Sequence, residues 1–137
     1  LGLILDTSIL IATERRGASV EEILYDARTT YGEVDIALSA ITVVELTHGI
    51  YRARTNSDRT RRRLFAEEAF HVLVVHPVSF EIAQLAGKIE GEQASNGIVI
   101  NFEDLVIGAT ALHFGFDIAT LNLRHFQRIP GLRVVSL

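Results

Sequence analysis

The chain has 137 residues, 48% of them hydrophobic, with a formal net charge of −4 and no Cys. That length fits a single domain over 1–137, able to bury roughly 70% of the surface its unfolded chain exposes. The composition excludes disulfides, thiolate nucleophiles and Cys-ligated zinc, argues against a general nucleic-acid coat, and points to a reducing, cytoplasmic setting.

Leu1 to Leu5 is a continuous apolar run of strand length, as expected of a strand buried on both faces. Thr7-Ser8 offers a cap for a helix through Ile9-Leu10-Ile11-Ala12. Gly17-Ala18-Ser19 breaks that helix and caps a second, Val20 to about Arg28, with Ile23, Leu24 and Ala27 on one face. Ile36-Ala37-Leu38 reads as the next strand, and Ser39 or Thr42 caps a helix running to about Arg54. Asn56-Ser57-Asp58 reads as a turn and cap before a helix from Arg59 to Phe70, with Leu64, Phe65 and Ala69 inside.

Val72 to Val75 is a third strand, closed by Pro77. Ser79 caps a helix from Phe80 to about Ala94, and Ser95-Asn96-Gly97 is a loop. A helix from Phe102 to Phe114 opens near Asn101 and is stopped by Gly115. Asp117 to Thr120 is a fourth strand, Asn122 to Phe126 a turn or short helix, and Leu132 to Val135 a last strand. Strands alternating with helices predict a three-layer α/β/α sandwich with a mostly parallel central sheet. No stretch approaches the ~20 apolar residues of a membrane span.

Four polar residues stand at strand–helix junctions or helix starts: Asp6, Glu45, Asp104 and Asn122. In an open parallel sheet the crevice beyond the strand carboxyl ends is where ligands bind. Phosphodiester hydrolysis needs a deprotonated water, neutralised phosphoryl oxygens and a stabilised leaving oxygen. Divalent ions supply all three when carboxylates hold them with open positions. Asp6, Glu45 and Asp104 suffice for a Mg²⁺ or Mn²⁺ site, with Asn122 adding a neutral oxygen or orienting a water. At about 5 Å and an effective dielectric of about 20, each carboxylate pair repels by roughly 3 kcal/mol, which a cation relieves.

Each residue also has a plainer reading. Asp6 could cap the helix that follows it. Glu45, beside Val43, Val44 and Leu46 in a helix that looks largely buried, could instead point to solvent. Asp104 near a helix N-terminus is favoured by the macrodipole alone, and Glu103 beside it is equally acidic. Asn122 suits a turn. The constellation is stronger than any member.

At these residues the sequence resembles the PIN-domain nucleases, and within them the VapC-type toxins. The matching segments are Leu3-Ile4-Leu5-Asp6-Thr7-Ser8, Ser39-Ala40-Ile41-Thr42-Val43-Val44-Glu45-Leu46, Asp104 through Leu112, and Ala119-Thr120-Leu121-Asn122-Leu123-Arg124-His125-Phe126. The resemblance covers nearly the whole chain. It implies a Mg²⁺- or Mn²⁺-dependent endoribonuclease, a homodimer, and inhibition by a VapB-type antitoxin whose Arg enters the acidic pocket. It carries Asp6, Glu45 and Asp104 over as metal-site acids, with Thr120 supporting them. The fourth position, Asp in many members, is Asn122 here. Gly108 stands where Ala is usual, which predicts close packing.

Two other functions compete. A phosphotransferase resembling the haloacid dehalogenase group would want an Asp where Ser8 stands. A catalytically weak PIN-like module that binds RNA or a protein is favoured by Asn122. Among the remaining polar residues, Arg52, Arg54, Arg59, Arg61, Arg62 and Arg63 read as a phosphate-gripping or partner-binding rim, or as a solvated helix end with Arg63 paired to Glu67. Ile9, Ile11, Leu24, Ile50 and Tyr51 read as an antitoxin groove or as ordinary core. The five His residues show no zinc spacing; His125 is expected at the rim and Phe126 in the core.

Overall fold

The computed structural model describes residues 1–137. In chain order the elements are β1 (Gly2–Leu5), α1 (Thr7–Arg15), α2 (Val20–Tyr31), β2 (Asp35–Ser39), α3 (Ala40–Tyr51) and α4 (Asn56–Val72). They continue with β3 (Val74–His76), α5 (Phe80–Ser95), α6 (Phe102–Phe114), β4 (Asp117–Ala119), α7 (Leu123–Phe126) and β5 (Val134–Val135). All strand pairs are parallel, in the order β3-β2-β1-β4-β5.

Strand alternation sorts the core into two layers. Ile4, Ala37 and Ile118 face one side and pack with Ile82 and Ile89 of α5 and Leu105, Ile107 and Ala109 of α6. Leu5, Leu38 and Ala119 face the other and pack with Ile9 and Leu10 of α1, Val20 and Ile23 of α2, and Ala69 of α4. The expected three-layer α/β/α sandwich is therefore the observed one. No helix is long and apolar enough to cross a membrane.

The chain first winds from β1 outward to β2 and β3, then returns through α5 and α6 to β4 on the other side of β1. The winding reverses between β1 and β4, and the carboxyl ends of these two strands flank the crevice. Two glycines allow close approach elsewhere in the fold. A Cβ at Gly2 would stand 2.6 Å from the Phe116 ring, and one at Gly108 would strike the Ile129 side chain, as the tight packing expected of Gly108 requires.

Most helix boundaries follow their caps. The Ser19, Ser39 and Ser79 side chains accept backbone N–H groups at the starts of α2, α3 and α5, and Gly115 ends α6 with φ 67°. Four expectations need correction. Thr7 and Ser8 lie inside the first turn of α1; the N-cap position is Asp6, whose side chain makes no capping bond. α4 begins at Asn56 because Thr55, not Asn56-Ser57-Asp58, is its cap. Val72 ends α4 instead of opening β3. Leu64 is 59% exposed, since Ala66 and Ala69 form the inner face of α4.

Candidate active site

Asp6 follows β1, where its backbone N–H donates to Ala119 O (2.9 Å) and extends the β1–β4 pairing by one step. Its side chain is buried. Oδ2 accepts from Ser8 Oγ (2.6 Å) and from Thr120 Oγ1 (2.8 Å). Each hydroxyl in turn accepts a backbone N–H from the turn after β4: Leu121 N to Ser8 Oγ at 3.2 Å, and Asn122 N to Thr120 Oγ1 at 2.9 Å. Those N–H groups fix both hydroxyls as donors toward one oxygen, and no side-chain hydrogen bond engages the other, Oδ1. The reading of Asp6 as a helix cap thus gives way to a braced carboxylate with one oxygen free.

Glu45 lies in the second turn of α3 and is half-buried. Thr7 Oγ1 stands 2.7 Å from Glu45 Oε1 and 2.9 Å from Thr42 Oγ1. Thr7 has one proton, and the carboxylate is the stronger acceptor. Burial raises the Glu45 pKa, the Thr7 bond opposes this, and Asp6, Glu103 and Asp104 push it further up. The helix is less buried than its sequence suggests, for Val44 is 61% exposed.

Asp104 lies in the first turn of α6, behind Asn101, whose side chain accepts from Glu103 N (3.0 Å). Asp104 Oδ2 contacts His125 Nδ1 at 3.1 Å. Burial raises its pKa, Asp6 adds to the rise, His125 lowers it, and Glu103 raises it again. Asp6, Glu45 and Asp104 therefore share one electrostatic field, and Glu103 joins it as a fourth acid.

Asn122 differs. It is exposed, precedes α7 without capping it, and its side-chain amide makes no hydrogen bond to any of the acids. It borders an open groove with Ser8, Arg15 and Arg16.

The carboxylates of Glu45 and Asp104, whose pKa neighbouring acids push up, suit a hard divalent cation, which would lower that repulsion. No three Asp, Glu or His side chains converge tightly enough to cage an ion by themselves. Glu45 is turned to Thr7 and Asp104 to His125. The arrangement suits an ion that takes one or two carboxylates directly and reaches the others through water, as Mg²⁺ commonly does.

Thr120 supports Asp6 as expected. Sequence reasoning missed Ser8 and Thr7 as partners of the acids, because both read as cap residues. Only Arg61 and Arg62 of the arginine cluster are engaged, and Arg59 Nε is buried without a hydrogen-bond partner. Arg61 pairs with Glu14 and Asp58, Arg62 Nη1 donates to Gly49 O (2.7 Å), and Arg63 makes no ion pair with Glu67. Of the residues read as groove or core, Ile9 and Ile50 are core, Ile11 and Leu24 are partly buried, and Tyr51 is 72% exposed. Phe126 is fully buried beneath the rim residue His125, as expected.

A family model described as PIN domain matches residues 3–132. The chain is similar to Ribonuclease VapC1 of Rickettsia felis, 32% identical over 137 residues, which cover 100% of this chain and 97% of the relative. It is also similar to the tRNA(fMet)-specific endonuclease VapC of Shigella flexneri, 31% identical, covering 97% of this chain and 96% of that one. Among solved structures it resembles the DNA-bound VapBC of Salmonella typhimurium, with a TM-score of 0.83, 27% identity, and coverage of 99% of this chain and 98% of that chain.

Proposed function

This chain belongs to the PIN-domain family, among the VapC-type ribonucleases, and from that premise we propose that it is a metal-dependent endoribonuclease and the toxin of a type II toxin-antitoxin pair. It acts in the cytoplasm as a homodimer and is silenced by a VapB-type antitoxin. The observation that most supports the reading is the shared field of Asp6, Glu45 and Asp104, built around Asp6 at the β1–β4 switch. Ribonuclease relatives support RNA as the substrate. The Salmonella neighbour, a DNA-bound VapBC, supports an antitoxin partner.

Asp6 offers its free Oδ1 as the fixed ligand for Mg²⁺ or Mn²⁺, while Ser8 and Thr120 hold the carboxylate in place. Glu45 and Asp104 face the same region from α3 and α6 and complete the negative shell. When bound, such an ion neutralises charge on the phosphoryl oxygens and makes water acidic enough to attack. Thr7 keeps Glu45 oriented and accepting. His125, held by Asp104 at the rim, stands where it can donate a hydrogen bond to incoming RNA.

The test is cleavage of structured RNA in Mn²⁺ by the wild type, Asp6→Asn and Asp104→Asn. Mn²⁺-dependent cutting that both substitutions weaken, Asp6→Asn the more, is expected. Binding without cutting at any ion concentration would leave a PIN-like binding module in its place.

A further inference from the structure

Phosphodiester cleavage sets a problem for the acids described above. The neighbouring charges of Asp6, Glu45, Glu103 and Asp104 repel the polyanion they must help to cut. A cation at the scissile phosphate relieves this locally, but flanking phosphates need their own counter-charges. Of the arginines conspicuous in sequence, Arg61 is committed to Glu14 and Asp58 and Arg62 to a backbone carbonyl, while Arg52, Arg54, Arg59 and Arg63 make no ion pair but line no groove with Ser8 and Asn122. Arg128 donates to Val99 O, and Arg133 pairs with Asp117.

Arg15 and Arg16, at the end of α1, are different. Both are exposed, neither has a carboxylate partner, and both border a groove of about 590 Å³ between α1 and the turn after β4. The C-terminal dipole of α1 accounts for a cation being tolerated there, but not for two of them lining one concavity. The groove adjoins the acids. Its floor includes Ser8, whose hydroxyl donates to Asp6, and its wall includes Asn122, whose backbone N–H reaches Asp6 through Thr120. Arg15 also borders the smaller cavity, about 90 Å³, that contains Glu45. It therefore stands between the groove and the acids. The Asn122 amide, with two donors and an acceptor, has no intramolecular partner.

We infer that this groove seats the ribose-phosphate backbone next to the scissile bond. Arg15 and Arg16 grip flanking phosphates, and the Asn122 amide hydrogen-bonds the nucleotide instead of ligating the metal. The inference rests on the endoribonuclease reading above. It gives Asn122 a role that needs no negative charge. The neutral amide can both donate and accept toward a base edge or a 2′-hydroxyl.

The experiment uses the full chain and 5′-labelled bulk bacterial transfer RNA, bound in EDTA so that nothing is cut, across a range of KCl. Removing two phosphate contacts should lower the slope of log affinity against log salt by about 1.5 in Arg15→Gln/Arg16→Gln. Arg133→Gln, at a residue paired with Asp117 at the opposite end of β4, should leave the slope unchanged. Asn122→Ala should weaken binding equally at every salt concentration. Melting of each variant with and without Mn²⁺ gives a second readout, and the Mn²⁺-induced shift should match that of the wild type.

A wild-type slope in the double variant overturns the groove, as does loss of the Mn²⁺ shift in Asn122→Ala. So does a double variant that loses binding to a protein partner while keeping its RNA affinity and slope. A wild type that binds and cuts RNA alongside any of these results sinks only the groove. A wild type that neither binds nor cuts RNA sinks the endoribonuclease reading with it.

Discussion

The strand-borne acid and the helix-borne acids of the site are held in opposite ways. Asp6 leaves the end of β1, is buried, and has one oxygen locked by two hydroxyls that backbone N–H groups have already oriented. Glu45 and Asp104 come from α3 and α6, are only partly buried, and have one protein partner each, Thr7 and His125. Both also sit at raised pKa, chiefly through burial and then through the other acids. The contrast teaches that the site has a rigid anchor and two adjustable members. A cation would add most where the protein has left charge least compensated.

The sharpest way to break this contrast is by substitution at the anchor. Asp6→Asn should lower the Mn²⁺-supported cleavage rate by at least ~10²-fold, since ion-mediated charge stabilisation is worth several kcal/mol. Glu45→Gln and Asp104→Asn should each lose less, in initial rates on the same RNA. Equal losses at all three positions would erase the distinction between anchor and adjustable ligands.

The brace comes next. Thr120→Val removes a donor to Asp6 Oδ2 and an acceptor for Asn122 N. Such support commonly carries 10–100-fold in metal affinity, so the Mn²⁺ concentration for a half-maximal melting shift should rise by about that factor. Thr120→Ser should recover most of it. A silent Thr120→Val would mean that Asp6 is held by its backbone alone.

Smaller effects should appear in thermal stability. Millimolar Mg²⁺ or Mn²⁺ should raise the melting temperature of the wild type. In EDTA near neutral pH, Glu45→Gln should itself raise it, because Gln keeps an acceptor for Thr7 and removes a repelled charge. Discounted for partial exposure, the gain is about 1 kcal/mol, or roughly 4 °C. A lower melting temperature would show that the Thr7 bond needs the ionised form more than the field opposes it.

The smallest effect is a pH slope. Glu45 and Asp104 have folded pKa values above their unfolded ones. The stability they contribute is therefore fully present below the ordinary carboxylate range, about pH 4, and is lost as pH rises through the raised values. The melting difference between Glu45→Gln and wild type, measured in EDTA, should grow across that interval and then level off. A difference that shrinks with rising pH would reverse the sign of the proposed repulsion.

Much of the architecture was legible because its signals are local. A cap at Ser79 or Asn101 acts over three residues, the Gly115 stop over one, and the run Leu1 to Leu5 declares its own burial at every position but the exposed Leu1. Asp6 and Asp104 were visible for the same reason, each adjoining such a signal. The outward turn of Leu64 was not, because a helix with few apolar residues does not say which stripe its neighbours will cover. Nor could Arg61 be known to be taken, since its partner Glu14 lies 47 positions away.

By itself, then, the sequence determined the element order, the parallel sheet and the presence of acids at element ends. These follow from backbone preferences and apolar periodicity within a few residues. Only the tertiary structure decided that Ser8 and Thr120 share one oxygen of Asp6, that Asn122 stands apart from the carboxylates, and that Arg15 and Arg16 remain uncommitted. A side-chain hydrogen bond spanning 114 positions, like that of Thr120 to Asp6, exists only once β1 and β4 lie side by side, so no local pattern encodes it.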